Sequence, residues 1–365
     1  MGALGGFMKP YRGKYTGSVI LSIFSVSAGL FAYVFVGLIA SGLFSGSRKP
    51  KEILCFALRA AEFLFREQVD HIDVMVNTHI HEDHTCGLLD VLAKTAPAVF
   101  WQPFSLNLWK QMRPLAITED MGESERKFIA ALNAYRSICE KIAEQGGKIA
   151  EGNGGGTEGS GIVLPEFPSG LKIRVLGPSE QAVKAQEQGI RHLYQQVASG
   201  EVPCGGSREL VRAWVKELDA AMNDVSLVLS VEYAGHSFLL PGDTQVTGYQ
   251  MCREALRAET FKVGHHGQEN ALQQELLHAV APKYAIISAS SDRRYESAAP
   301  KVLRMLHDFG TKTYFTDVPD VPPYTDGLMP HAGVCFKIAP DGSMSVQLSV
   351  MATGNASRLC RKKEK

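Results

Sequence analysis

The chain has 365 residues, long enough for one large domain or two small ones. Its 38 basic and 38 acidic side chains cancel, which excludes an overall basic field of the kind that advertises nucleic-acid binding, though not a local basic groove. Seven cysteines without a Cys-x-x-Cys pair argue against a disulfide framework and imply reduced thiols, hence a cytoplasmic location.

Residues 1–16 read as an N-terminal tail. Residues 17–47 then carry no charge, with Lys9, Arg12 and Lys14 before them and Arg48, Lys49 and Lys51 after. This run reads two ways. By length it qualifies as a transmembrane helix, which would anchor the protein through residues 17–45. Alternatively, Ser27-Ala28-Gly29, Gly37 and Gly42 cut it into pieces of strand length rich in Val, Ile and Phe. Pro50 opens a predicted amphipathic helix, because Ile53, Leu54, Ala57, Leu58, Ala61 and Leu64 recur at helical spacing.

A β-branched run at residues 71–78 predicts a strand that enters His79, His81, Asp83 and His84. Imidazoles and carboxylates are the usual ligands of zinc and similar ions. The spacing His-x-His-x-Asp-His accommodates two ions, His79 with His81 for one and Asp83 with His84 for the other. A paired site clamps both oxygens of a displacement and supplies hydroxide near neutral pH. A polar loop accounts for any one of these histidines, but not for the cluster.

A helix is expected over 88–94, a strand over 98–104 and a helix over 123–145, whose apolar face holds Phe128, Ile129, Leu132, Tyr135, Ile138 and Ile142. Trp101, Phe104 and Trp109 read as core, with a pocket wall as the sharper alternative. Residues 146–162 form a flexible glycine-rich loop, and no Gly-Lys-Ser/Thr follows to make it a phosphate cradle. After a strand at 171–176, residues 179–222 read as a helical insertion of two helices, 179–198 and 207–222. His192 falls on the first helix and reads as a surface residue.

Residues 225–233 and 237–240 form a predicted hairpin about Ala234-Gly235, closed by Pro241-Gly242-Asp243-Thr244. Asp243, at a strand end, is a candidate bridging ligand. A helix over 247–258 and a strand over 261–263 lead to His265-His266-Gly267. Beyond come a strand at 283–288, a helix at 300–309, a strand at 313–315 and a hairpin, 334–338 with 343–350, about Pro340-Asp341-Gly342. Residues 351–365 are a basic tail. Alternating strands and helices with ligands at strand ends predict an α/β (α+β) domain over 17–350, an αββα sandwich of two mixed sheets.

Three blocks, 74–87, 223–244 and 261–267, together resemble the metallo-β-lactamase superfamily. Within it they resemble the metallo-β-lactamase-like domain of bacterial DNA-uptake (competence) channel proteins and their stand-alone relatives. The resemblance runs in order over residues 50–340. It implies a hydrolase with two divalent ions, Zn2+ or Mn2+, held by His79, His81, Asp83, His84, Asp243 and His266. It further implies catalytic roles for Asp83, His265 and His266, one of the two histidines protonating the leaving oxygen. The implied substrate is a phosphodiester, nucleic acid or nucleotide, with Arg293 and Arg294 as candidate phosphate holders.

Carboxylic esters, thioesters and lactones use the same metal chemistry and remain an alternative. So does a non-catalytic metal-binding or interaction module. The acidic residues that relatives carry after the first strand and after the third are missing from 24–30 and 43–47. The third histidine that many relatives supply between the first loop and the later Asp is missing too, with His331 as a candidate substitute.

Overall fold

The computed structural model describes residues 19–26, 32–41, 51–57, 71–93, 95–152, 170–198, 207–251, 256–291, 293, 296–329, 333–339 and 341–349. The strands in chain order are β1 (Val19–Val26), β2 (Ala32–Ser41), β3 (Lys51–Ala57), β4 (Ile72–Val76), β5 (Pro97–Gln102), β6 (Lys148–Glu151) and β7 (Lys172–Gly177). They continue with β8 (Val228–Tyr233), β9 (His236–Leu240), β10 (Thr260–Lys262), β11 (Tyr284–Ile287), β12 (Lys312–Phe315), β13 (Gly333–Ile338) and β14 (Met344–Ser349).

Two mixed sheets result. One runs β14-β13-β3-β2-β1-β4-β5-β6 and the other β12-β11-β10-β9-β8-β7. In the first, β1, β4, β5 and β6 are parallel neighbours and the rest pair antiparallel. In the second, β9 to β12 are parallel.

The side chains explain why the sheets stack. Strands covered on both faces read as continuous apolar runs whose alternate residues enter different cores. In β9, Phe238 and Leu240 enter the core between the sheets, whereas Leu239 faces outward to the helices. Ile286 of β11 enters the same inter-sheet core, and its neighbours Ala285 and Ile287 the outer one. The helix Glu123–Glu144 lays Phe128, Leu132, Tyr135, Ile138 and Ile142 against Met75 and Phe100 outside the first sheet. The helices Gln274–Val280 and Pro300–Asp308 cover the second sheet through Leu277, Val302 and Leu306. The architecture is an αββα sandwich, the metallo-β-lactamase fold.

Several expectations change. Residues 19–26 and 32–41 are strands, so the strand reading of the uncharged run holds. The membrane helix through 17–45 gives way, and among the described residues no helix is long and apolar enough to cross a membrane. The helix expected from Pro50 is strand β3 over Lys51–Ala57, and its remainder at 58–64 lies outside the described residues. As β3 pairs with β2 on one side and β13 on the other, an unbroken apolar run suits it as well as helical spacing would.

The loop expected at 146–162 contains strand β6, and 153–162 lies outside the described residues. In place of a helix at 247–258, Val246–Met251 forms a 3-10 turn and 256–258 is irregular. The helices Glu180–Ala198 and Ser207–Ala221 are present as expected. Val183, Ile190, Leu193, Val215 and Leu218 join the same core as the helix Glu123–Glu144, so this segment is part of the helical layer. The tails 1–16 and 351–365, Arg294 and His331 lie outside the described residues.

Candidate metal centre

Four strand ends converge. β4 delivers His79, His81, Asp83 and His84, and the adjacent parallel strands β9, β10 and β11 end at Asp243, His266 and Ser288. Two local devices aim these side chains. Gly242 has φ +62, and a Cβ there would lie 2.9 Å from Ser226 Cβ and 3.1 Å from Thr78 Cβ, so only glycine lets the chain pass before Asp243. His265 and His266 both take left-handed backbone, φ 42 and 53, a conformation that costs non-glycine residues about 1–3 kcal/mol each. Hydrogen bonds from Ala298 N to His266 O and from Ala299 N to Gly267 O hold the turn at 3.0 and 2.8 Å.

Asp83, His84, Asp243 and His266 bring one ligand-type atom each to within 4.8 Å of one another. His84 Nε2 lies 3.1 Å from Asp243 Oδ2 and 3.6 Å from Asp83 Oδ2. His266 Nε2 lies 3.0 Å from Asp243 Oδ2 and 3.1 Å from Asp83 Oδ2. Donors around one tetrahedral zinc stand roughly 3.3 Å apart, given zinc–donor bonds near 2.0–2.2 Å. Beside this group, His79 Nε2 and His81 Nδ1 face each other at 3.0 Å.

The outer hydrogen bonds fit metal ligands. Nδ1 of both His79 and His84 lies 3.1 Å from Thr78 Oγ1, and His79 Nδ1 also lies 3.1 Å from Ser226 Oγ. Donating from Nδ1 leaves Nε2 as the lone-pair end. His81 is turned the other way. Its Nε2 donates to Asp219 O at 3.0 Å and lies 3.3 Å from Asp219 Oδ1, leaving Nδ1 inward. His266 donates from Nδ1 to Ser288 O at 3.1 Å. Partners of this kind fix the tautomer of metal-bound imidazoles. The six expected ligands thus converge in two adjacent sets, and the donor chemistry fits divalent ions.

Electrostatics separate the histidines. Burial, reinforced by neighbouring imidazoles, holds His79 well below its usual pKa, as a neutral ligand must be. Burial would raise Asp243, but His266 and His84 outweigh it and keep the carboxylate ionised. Burial would lower His266, yet Asp243 and Asp83 outweigh it and push it up to about 10. Burial would likewise lower His81, and the Asp219 carboxylate outweighs it and raises the imidazole. Beneath the site, Lys262 is fully buried, donates to Gly242 O at 3.3 Å and sits 3.7 Å from Asp243 Oδ1.

His81, Asp83, Asp243 and His266 form one wall of a cavity of about 500 Å³. Glu82, Glu123, Ser124, Lys127, Phe128, Asp219, Asn223, Gln268 and Ser297 line much of the rest. His265 is also on the wall. Its Nδ1 donates to Asn270 Oδ1 at 2.8 Å, and its Nε2 accepts from Asn223 Nδ2 at 3.2 Å. Burial lowers its pKa, so it is neutral near pH 7. Arg293 does not line the cavity, and His192 is exposed, its ring edge-on to Trp214 at 4.5 Å. Trp101 and Phe104 are fully buried core. Sequence reasoning missed Asp219 and Asn223. Asp219 lies in the last turn of the helix Ser207–Ala221, and Asn223 in the 3-10 turn Met222–Val225 that follows it.

The sequence matches the metallo-beta-lactamase superfamily over residues 44–111. It is also 37% identical over 101 residues to ComE operon protein 3 of Bacillus subtilis (strain 168). That match covers 27% of this chain and 13% of the relative's length.

Proposed function

We propose that this chain, a protein of metallo-β-lactamase fold that resembles a competence protein, is a metal-dependent hydrolase of phosphodiesters. The observation that carries the reading is the convergence of Asp83, His84, Asp243 and His266 beside the His79–His81 pair, next to a cavity that His81, Asp83, Asp243 and His266 line. Two divalent ions, Zn2+ or Mn2+, would be held there, supplying a hydroxide near neutral pH and neutralising an oxyanion.

The chain's own groups have separate tasks in this proposal. Asp243 would hold the ion of the four-residue set, its Oδ2 3.1 Å from His84 Nε2 and 3.0 Å from His266 Nε2. Asp83 shares the second set and holds the proton of the attacking water, since its carboxylate is also on the cavity wall. His266 serves as a ligand, positioned by Ser288. His265 has both ring nitrogens engaged by amides, so we assign it to anchoring Asn223 and shaping the wall rather than to proton donation.

The acid-rich wall favours one small phosphodiester, such as a nucleotide, over a long strand. Among the described residues, Lys127 is the one Lys or Arg lining the cavity, and Glu123 engages it at 2.6 Å. The same balance supports esters, thioesters or lactones as the second reading. The test is hydrolysis of bis(p-nitrophenyl) phosphate, run beside a thioester and a lactone. The proposal expects phosphodiester turnover that falls more than about 100-fold in His84→Ala. Turnover of the lactone or thioester alone moves the assignment to the second reading. No turnover of any substrate by metal-loaded protein contradicts the hydrolase.

A further inference from the structure

The two ligand sets are unequal. Asp83, His84, Asp243 and His266 form a set of four, whereas His79 and His81 are two imidazoles with no third from anywhere in the described residues. We infer that the side-chain oxygen of Asn223 completes the His79–His81 set, as the third protein donor to an ion held there. This rests on the metal-site reading above and adds to it one ligand of a different chemical class.

The path of the chain carries the argument. Residues 219–226 run past the imidazole pair and touch both members. Asp219 bonds His81, Ser226 bonds His79, and Asn223 comes between them. The backbone is pinned on the far side by Leu227 N donating to Thr78 O at 3.0 Å, one residue before His79. Asn223 is 7% exposed and lines the same cavity as His81 and Asp243.

The hydrogen bonds identify which end of the amide is available. His265 gives its Nδ1 proton to Asn270, so its Nε2 is an acceptor and takes a proton from Asn223 Nδ2. That leaves Asn223 Oδ1 buried with no hydrogen-bond partner. A buried carbonyl oxygen left without a donor costs about 1–3 kcal/mol. A cation shared with two neutral imidazole lone pairs satisfies it. Neighbouring Asp224 is exposed and off the cavity wall, so it does not compete.

The chemistry has a consequence. An amide oxygen is a neutral, hard donor, weaker for zinc than imidazole and well suited to Mn2+. The His79–His81–Asn223 position therefore holds its ion more weakly than the set with two carboxylates, and the protein fills in two steps.

The experiment is a Mn2+ titration of metal-stripped full-length protein, with free Mn2+ read by electron paramagnetic resonance and folding checked by circular dichroism. Wild type is expected to bind two ions, one tight and one weaker. Asn223→Ala should weaken the second ion by at least about tenfold and leave the first unchanged. Asn223→His should tighten the second ion for Zn2+. Two ions with unchanged affinities in a folded Asn223→Ala protein would overturn the inference while leaving the hydrolase reading intact. A wild type that binds one ion also overturns it. A wild type that binds none sinks the metal-site reading itself.

Discussion

His266 and Asp243 tie the centre to pH, and the sign follows from their partners. The His266 pKa rises from 6.5 to about 10 when the protein folds without metal. Its proton therefore contributes stability that is complete below pH 6.5 and is lost as pH rises toward 10. Asp243 is held well below 3.8, so its contribution is present above pH 3.8 and is lost in more acidic solution. Urea unfolding of chelator-treated protein should show a midpoint that falls between pH 6.5 and 9.5. Metal binding needs the neutral imidazole and expels that proton, so the same series with saturating metal should lose this decline. An unchanged midpoint across that range in metal-free protein would show that His266 is not paired with the two carboxylates.

The helix Ser207–Ala221 links packing to the site, because Leu218 is buried against its neighbour and Asp219 is the next residue. The neighbour contributes Gly189. A Cβ at that position would lie 2.5 Å from Leu218 Cδ2, so the two helices approach as closely as they do because the residue is glycine. Gly189→Val should cost about 1–3 kcal/mol by overpacking. It should also push Asp219 away from His81 and weaken the more weakly held ion about tenfold, while sparing the other. A loss of stability with both metal affinities intact would separate the helix contact from the site.

The same helix shows where sequence reading stops. The loop from His79 to His84 was legible because its four donors fall within six positions and follow a strand. Asp243 and His266 were legible because each ends a short apolar strand within a familiar block. Asp219 comes from the helix Ser207–Ala221 and Asn223 from the 3-10 turn Met222–Val225 after it, more than 130 residues beyond His81, and in sequence they look like the polar face of any amphipathic helix. Their role exists only once the helix Ser207–Ala221 is laid beside β4.

β3 was misread for a related reason: Ile53, Leu54 and Ala57 satisfy helical spacing, and only pairing with β2 and β13 selects the strand. Short β6, Lys-Ile-Ala-Glu, has too few apolar residues to announce itself beside a glycine-rich stretch.

For the molecule as a whole, the stacked sheets act as a frame that holds ligands from β4 of one sheet against ligands from β9 and β10 of the other. Asp243 belongs to the second sheet, and His84, its partner at 3.1 Å, to the loop after the first. An ion held there would tie the layers together, so metal should stabilise the folded chain by mass action, by about 2.7 kcal/mol at a hundredfold excess over Kd.

The metal content of purified full-length protein, read by mass spectrometry of the elements for wild type and Asp243→Ala, tests this arrangement most directly. The account predicts close to two divalent ions per wild-type chain after dialysis against Zn2+ and removal of excess, and one or fewer in the variant. Wild-type protein that retains no stoichiometric metal, or an Asp243→Ala protein that retains both ions, would contradict it.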